Sequence, residues 1–124
     1  MTFKLFALVM ACVTISALSQ LAMKVGMSDN SIQANLTPAI RIEVLWVVLR
    51  NPLVIGGLSA YLVGAALWLF VLSKADLSLV YPFVGVGFVL TMLFGWLFLN
   101  EHVGLARLLG TLVIAIGAYM VARS

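Results

Sequence analysis

The sequence predicts an all-α membrane protein, with four transmembrane helices and a short interfacial helix between the first and the second. Of its 124 residues, 65% are hydrophobic and 9% are charged, whereas globular proteins average roughly 45–50% and about 25%. Mean hydropathy is +1.22. Seven Lys and Arg and four Asp and Glu are too few to cover the surface of a soluble monomer. A soluble monomeric protein is therefore excluded.

Four long apolar runs supply the predicted spans. A helix needs about 20 mostly apolar residues to cross about 30 Å of hydrocarbon. β-Barrel strands would instead alternate over about ten residues. The first run is too long for the apolar core of a secretory signal peptide. We therefore predict a single domain over residues 1–124, with spans at about 3–26, 53–73, 79–99 and 103–122 and a polar segment at 28–51.

The first span carries a polar stripe. Ser16, Gln20 and Lys24 lie at i, i+4 and i+8, which places them on one face of a helix. Because polar groups facing lipid are costly, we expect this face to meet a neighbouring helix or a hydrated cavity. The alternative is that Ser16 bonds its own backbone and Lys24 reaches the head groups. Cys12, the single cysteine, is predicted to be a small buried residue.

The polar segment predicts one short helix. Thr37 as N-cap and Pro38 at the first position mark its start. Trp46, with Arg41 and Arg50 on either side, suits the membrane interface. The helix is either a connector or a lid over whatever enters between the spans.

Small residues at helical spacing predict close helix contacts. They are Gly56, Ala60 and Gly64 in the second span, and Ala106, Gly110 and Gly117 in the fourth.

The basic residues show no bias toward either membrane side. Three belong to the end with both termini and four to the other end: Lys4, Lys74 and Arg123 against Lys24, Arg41, Arg50 and Arg107. The positive-inside rule thus gives no orientation, which would permit an antiparallel dimer. The scattered charges form no basic face for nucleic acid.

The sequence predicts neither a metal, nor a cofactor, nor an enzyme. One histidine and one cysteine cannot build a closed metal site, and no nucleophilic constellation is present. His102 is expected to be a solvated turn residue rather than a proton-coupling group. Asp76 and Glu101 fall at span ends, so no span supplies the buried carboxylate that a proton-coupled cation exporter needs.

Several stretches resemble the drug/metabolite transporter superfamily. They are Ser19–Lys24, Leu67–Leu72, Val80–Pro82, and Asn100–His102 followed by Gly110–Gly117. The chain is most similar to the four-helix branch, the small subunits of the undecaprenyl-phosphate-aminoarabinose flippase, over about 5–26 and 60–122. It is more distantly similar to the small multidrug resistance transporters.

The resemblance implies a bacterial inner-membrane bundle that acts as a homodimer or heterodimer and moves polyprenyl-phosphate-linked sugars between leaflets. Two features depart from it. The polar segment is longer than expected, and the first span lacks the acidic residue that the related multidrug exporters use.

These considerations predict a phosphate site without covalent chemistry. Lys24 and Arg107 are expected to bind phosphate. Glu101 is expected to pair with Arg107 or Lys24, or to be a helix-end anion near the fourth span. The remaining predicted site residues, which would offer hydrogen bonds to phosphate or sugar, are Gln20, Ser16 and Tyr81.

The small size of the four-helix bundle predicts that it assembles with a second subunit. Four helices enclose too little volume for a bulky polar head group. Two copies of the chain, or two related subunits, should therefore surround the path that the head group takes across the membrane. A monomer suffices if the head slides along a groove open to lipid. Two other functions stay open: a small multidrug or cation exporter, and a non-transporting subunit that stabilises a partner enzyme.

Overall fold

A computed structural model describes residues 2–36 and 42–124 of the chain, and within these ranges it contains helices and turns. The helices are α1 (Phe3–Met27), α2 (Asn30–Asn35), α3 (Ile42–Arg50), α4 (Pro52–Leu72), α5 (Leu77–Val80), α6 (Val84–Phe98) and α7 (Leu105–Ala122). A 3-10 turn, Tyr81–Phe83, joins α5 to α6. The predicted all-α fold is confirmed.

Among the described residues, four segments are long and apolar enough to cross a membrane: α1, α4, Leu77–Phe98 and α7. Each lies close to a predicted span. The third is not one continuous α-helix, because it passes through the 3-10 turn at Pro82. Proline has no backbone N–H to donate to the preceding turn.

Helix α1 is the central element of the bundle. It packs along α4 on one side and α6 on the other, and α7 packs on α6. The buried core joins Val9, Cys12 and Val13 of α1 to Val71 of α4 and to Phe83. Cys12 is buried, as predicted. With neighbours on two sides, α1 keeps a third face toward the interior of the bundle.

Helices α1 and α4 approach closely at Gly57. A Cβ atom there would lie 2.6 Å from Met23 Cγ and 3.0 Å from the carbonyl oxygen of Ser19, whereas one at Gly56 would meet nothing within 4 Å. Gly64 likewise packs against Ile15. Positions 57 and 64 are almost two full turns apart, so both lie on the face of α4 that meets α1. Gly56 therefore faces away from α1 and is uncovered in the single chain, while Gly57 makes the close contact between α1 and α4.

The polar segment contains a helix that the sequence analysis missed. Asp29 caps α2 by accepting a hydrogen bond from the backbone N–H of Ser31 at 2.8 Å. Hydrogen bonds from the hydroxyl and the N–H of Ser31 lower the pKa of the Asp29 carboxyl. Ile32 of α2 and Val44 of α3 are buried, and the two short helices pack together.

The short helix predicted within the polar segment is present as α3. Its predicted start at Thr37 and Pro38, and Arg41 beside it, lie outside the described residues. One face of α3 exposes apolar side chains: Ile42, Leu45, Trp46 and Leu49. This arrangement suits an interfacial position, which stays a prediction.

Asn51 ties the start of α4 to the end of α1. Its side-chain oxygen accepts hydrogen bonds from the N–H groups of Leu53 and Val54 at 3.0 and 3.3 Å. Its amide nitrogen donates to the carbonyl oxygen of Gly26 at 3.2 Å. This junction fixes the end of α1 that carries Lys24.

We expect Gly57→Ala and Gly56→Ala to change stability in opposite directions. The first places a methyl group against the backbone of α1, and such overpacking costs about 1–3 kcal/mol. The second enters open space and gains about 0.5–1 kcal/mol from helix propensity. The free energy of unfolding in detergent measures both. Equal effects would show that α1 and α4 do not approach closely at Gly57.

Candidate functional site

One cavity of about 880 Å³ lies between α1, α4, α6 and α7. Its volume falls within the roughly 300–1,000 Å³ typical of small-molecule sites. All six predicted site residues lie on its wall: Ser16, Gln20, Lys24, Tyr81, Glu101 and Arg107. The structure thus brings together residues from four separate parts of the chain.

The polar stripe of α1 forms one wall. Ser16, Gln20 and Lys24 all face the cavity, because α4 and α6 cover the flanks of this helix. Two hydroxyl groups off the stripe bond their own helix instead. Thr14 donates to the carbonyl oxygen of Met10 at 2.8 Å, and Ser19 donates to that of Ile15 at 2.7 Å.

Arg107 reaches the cavity from the first turn of α7. Its guanidinium donates one hydrogen bond, 3.1 Å long, to the carbonyl oxygen of His102. A guanidinium has five N–H donors, so this bond leaves others for a ligand. His102 itself is exposed in the turn before α7, where the sequence placed it.

Glu101 is held over the last turns of α6 by its backbone. Asn100 has φ 53°, in the left-handed region that Asn tolerates, and the N–H of Glu101 donates to the carbonyl oxygen of Gly95 at 3.0 Å. A Cβ atom on Gly95 would collide with Oε2 of Glu101. The missing side chain of Gly95 therefore makes room for the carboxylate.

These contacts differ from the pairing predicted for Glu101. Its carboxylate packs against Gly95, and the guanidinium of Arg107 bonds the backbone of His102. The N-cap residue of α7 is Gly104, so Glu101 lies just before this helix, and the alternative of a helix-end anion stays a prediction. The two charged groups share a cavity but bond different neighbours.

Aromatic and threonine side chains also line the cavity, and of these the sequence analysis assigned Tyr81 alone to the site. Tyr81 comes from the 3-10 turn, and the residues that were missed are Tyr61, Trp68, Phe88, Thr91 and Thr111. Helical spacing could have indicated that two of them belong together, because Tyr61 and Trp68 are seven residues apart and lie on one face of α4. Thr111 donates to the carbonyl oxygen of Arg107 at 2.8 Å, which leaves its oxygen able to accept.

The described part of the polar segment does not contribute to this wall. None of the described residues of α2 and α3 lines the cavity. This favours the connector alternative for α3 over the lid. Within residues 2–36 and 42–124, no group of three His, Cys, Asp or Glu side chains is placed to hold a metal ion.

Four apolar helices around a partly polar cavity, all within the described residues, define a multi-pass membrane protein with an internal cavity. Residues 42–123 match the EamA-like transporter family, and the chain belongs to that family. The predicted superfamily is thereby confirmed, and with it the prediction of a membrane transporter.

Individual relatives of the chain are similar to it over part of its length. The chain is 32% identical over 75 residues to the probable 4-amino-4-deoxy-L-arabinose-phosphoundecaprenol flippase subunit ArnE of Aeromonas hydrophila, covering 60% of this chain and 66% of that protein. It is 38% identical over 60 residues to the protein of the same name from Pseudomonas syringae, covering 48% and 56%. The matches thus span less than two thirds of these relatives. No solved structure matches the chain.

We expect water to reach the α1 wall of the cavity but not the outer face of α1. In a Cys12→Ala background, Gln20→Cys should react with a charged thiol reagent about tenfold faster than Leu18→Cys, because thiolate forms only where water is present. Leu18 is 50% exposed on the outer surface of α1 and lines a shallow groove between α1 and α4. Similar rates at the two positions would contradict a hydrated cavity.

Proposed function

We propose that this chain is a flippase subunit that moves a polyprenyl-phosphate-linked sugar between the leaflets of the bacterial inner membrane. It would do so without covalent chemistry. The observation that carries the proposal is the presence of Lys24 and Arg107 on the wall of one cavity between membrane-spanning helices.

Two different cations suit a phosphate group. The Lys24 ammonium is a compact point charge, and the Arg107 guanidinium is a planar fork that matches two phosphate oxygens. Both groups lie at the end of the bundle where α1 ends and α7 begins. An anionic head group arriving from that interface would meet them first.

The polar wall gives the head group partners below the interface. Ser16 and Lys24 are eight residues apart on α1, which corresponds to about 12 Å along a helix axis. Gln20 lies between them. The stripe therefore extends over a substantial part of the roughly 30 Å hydrocarbon layer, and it lowers the cost of moving a sugar head inward.

The lipid tail would lie beside the cavity, between α4 and α7. Helix α4 packs on α1, whereas α7 packs on α6, on α5 and on the 3-10 turn. Within the described residues, α4 and α7 make no extensive contact with each other. A polyprenyl chain could remain in this opening or in lipid while its head group occupies the cavity. The protein would then shield only the polar part of the lipid.

A second subunit would complete the route, either another copy or a related four-helix protein. Gly110 and Gly117 on α7 support this part of the proposal, because a Cβ atom at either position would meet nothing within 4 Å. Small, uncovered residues let another helix approach closely. The relatives are themselves named as subunits of a flippase for 4-amino-4-deoxy-L-arabinose-phosphoundecaprenol, a sugar linked to a polyprenyl phosphate.

We expect Lys24→Ala and Arg107→Ala each to slow the appearance of lipid-linked sugar on the far leaflet by about tenfold or more, since a hydrogen bond to a charged group contributes about 1.5–3 kcal/mol. Leaflet-resolved labelling of the sugar measures this. Arg50→Ala is the matched control, because it removes the same charge from the same end of the bundle, but Arg50 is not on the cavity wall. Normal exposure in both site variants would reject the phosphate assignment.

A small cation exporter is the second candidate. Glu101 shares the cavity with Tyr61, Trp68, Tyr81 and Phe88, and aromatic faces attract lipophilic cations. However, Glu101 lies between α6 and α7 rather than within a span.

Growth in quaternary ammonium compounds separates the two functions. The flippase proposal predicts no resistance from expression of the protein, because Lys24 and Arg107 repel a cation. Resistance that depends on Glu101 would instead establish the exporter.

A further inference from the structure

We infer that the cavity is open at one end of the bundle only, and that an apolar plug closes the other end and must open before a transported molecule can leave on that side. The plug lies at the end that carries both chain termini, opposite the charged end of the cavity. It is formed by buried residues of α1, α4, α5 and the 3-10 turn: Val9, Val13, Val71, Val80 and Phe83. The inference goes beyond the proposed function, because it applies to any polar molecule that the cavity carries.

The exposure of the α1 wall increases toward the open end. Cys12 is buried, Ser16 is half-buried, and Gln20 and Lys24 are exposed. All four residues line the same cavity, so the difference follows their depth in the bundle. The cavity therefore closes toward the start of α1 and opens where α1 ends.

The plug is apolar and buried. Val9, Val71 and Val80 have 0% of their surface exposed, and Phe83 has 4%. The ring of Phe6 packs edge-on against that of Phe83, with 5.9 Å between the ring centroids. Because these side chains offer no hydrogen-bonding group, a polar head group cannot cross the closed plug without a large desolvation cost.

Helix α5 and the 3-10 turn join the spans at the closed end. Helix α5 contacts α4 and α7, and the 3-10 turn contacts α1 and α7. At the open end, Asn51 ties α4 to α1, but in the described part of the chain no short element extensively bridges α4 and α7 there. A shift of α5 and the turn would thus open the plug without separating α1 from α4.

The test is thiol labelling of the purified full-length chain in proteoliposomes that contain it in both orientations. Gln20→Cys in a Cys12→Ala background reports on the cavity. A protease site and tag added after Ser124 allow external protease to shorten only the chains whose termini face outward. An impermeant, charged thiol reagent is added outside, and cut and uncut chains are then compared on one gel. Uncut chains present the open end to the reagent.

We expect Gln20→Cys to be labelled about tenfold or more faster in uncut than in cut chains, because thiolate forms only where water reaches the sulfur. Labelling of uncut chains at the same rate in every variant below serves as the folding control. Equal labelling of cut and uncut chains in the parent would overturn the inference, since the cavity would then be equally accessible from both ends.

Two substitutions on α4 separate the plug from packing in general. Val71→Ala removes methyl groups from the plug, and Val54→Ala removes the same groups from a site that packs near Gly26 at the opposite end. The two valines are 0% and 3% exposed. Val71→Ala should speed the labelling of cut chains about tenfold, because lost packing favours local opening. Val54→Ala should leave that rate unchanged.

Phe83→Leu provides a second plug variant from a different element and should also speed the labelling of cut chains. If Val54→Ala has as large an effect as the plug variants, or if neither plug variant has an effect, the inference is overturned. The proposed function is tested separately. Labelling needs no substrate, so transfer of a lipid-linked sugar that depends on Lys24 and Arg107 would stand whichever way the labelling falls.

Discussion

Hydrocarbon cannot solvate a polar side chain, and this constraint organises the whole bundle. Ser16, Gln20 and Lys24 lie on one face of α1, so that face must turn away from lipid. Helix α1 satisfies the requirement by lying between α4 and α6, with its polar face on the cavity. The same orientation that lowers the cost of inserting α1 creates the polar wall of the candidate site.

Close packing at a few glycines makes this arrangement compatible with a large cavity. Gly57 lets α4 approach the backbone of α1, which seals one flank of the central helix. Gly95 has the opposite effect at the end of α6, where it admits the carboxylate of Glu101 to the wall. One missing side chain thus brings two helices together, and another makes space for a charged group. The polar end of the cavity depends on both.

The features predicted correctly from the sequence were those that depend on local periodicity. Long apolar runs indicated the four spans, and a four-residue spacing placed the polar residues of α1 on one face. The features that the sequence did not reveal depend on tertiary contacts or on short-range backbone chemistry. Register against α1 decides between Gly56 and Gly57, the space at Gly95 depends on a loop, and the 3-10 turn at Pro82 interrupts a uniformly apolar run.

The residue pattern predicted only part of the candidate site. Charged and amide side chains stand out in an apolar sequence, so Lys24 and Arg107 could be selected by type alone. Tyr61 and Trp68 could not, because aromatic residues on a membrane helix face lipid, another helix or a cavity with equal ease. Their assignment required the positions of α1 and α6. Helical geometry therefore predicts which residues share a face, but the packing of neighbouring helices decides what that face meets.

The central claim is that the cavity holds an anionic lipid head group between membrane-spanning helices. Mass spectrometry of the lipids that copurify with the protein tests it most directly. The account predicts that a polyprenyl phosphate bearing a sugar is strongly enriched over its share of the surrounding membrane. Copurification of bulk phospholipids alone, in the proportions of that membrane, would contradict it.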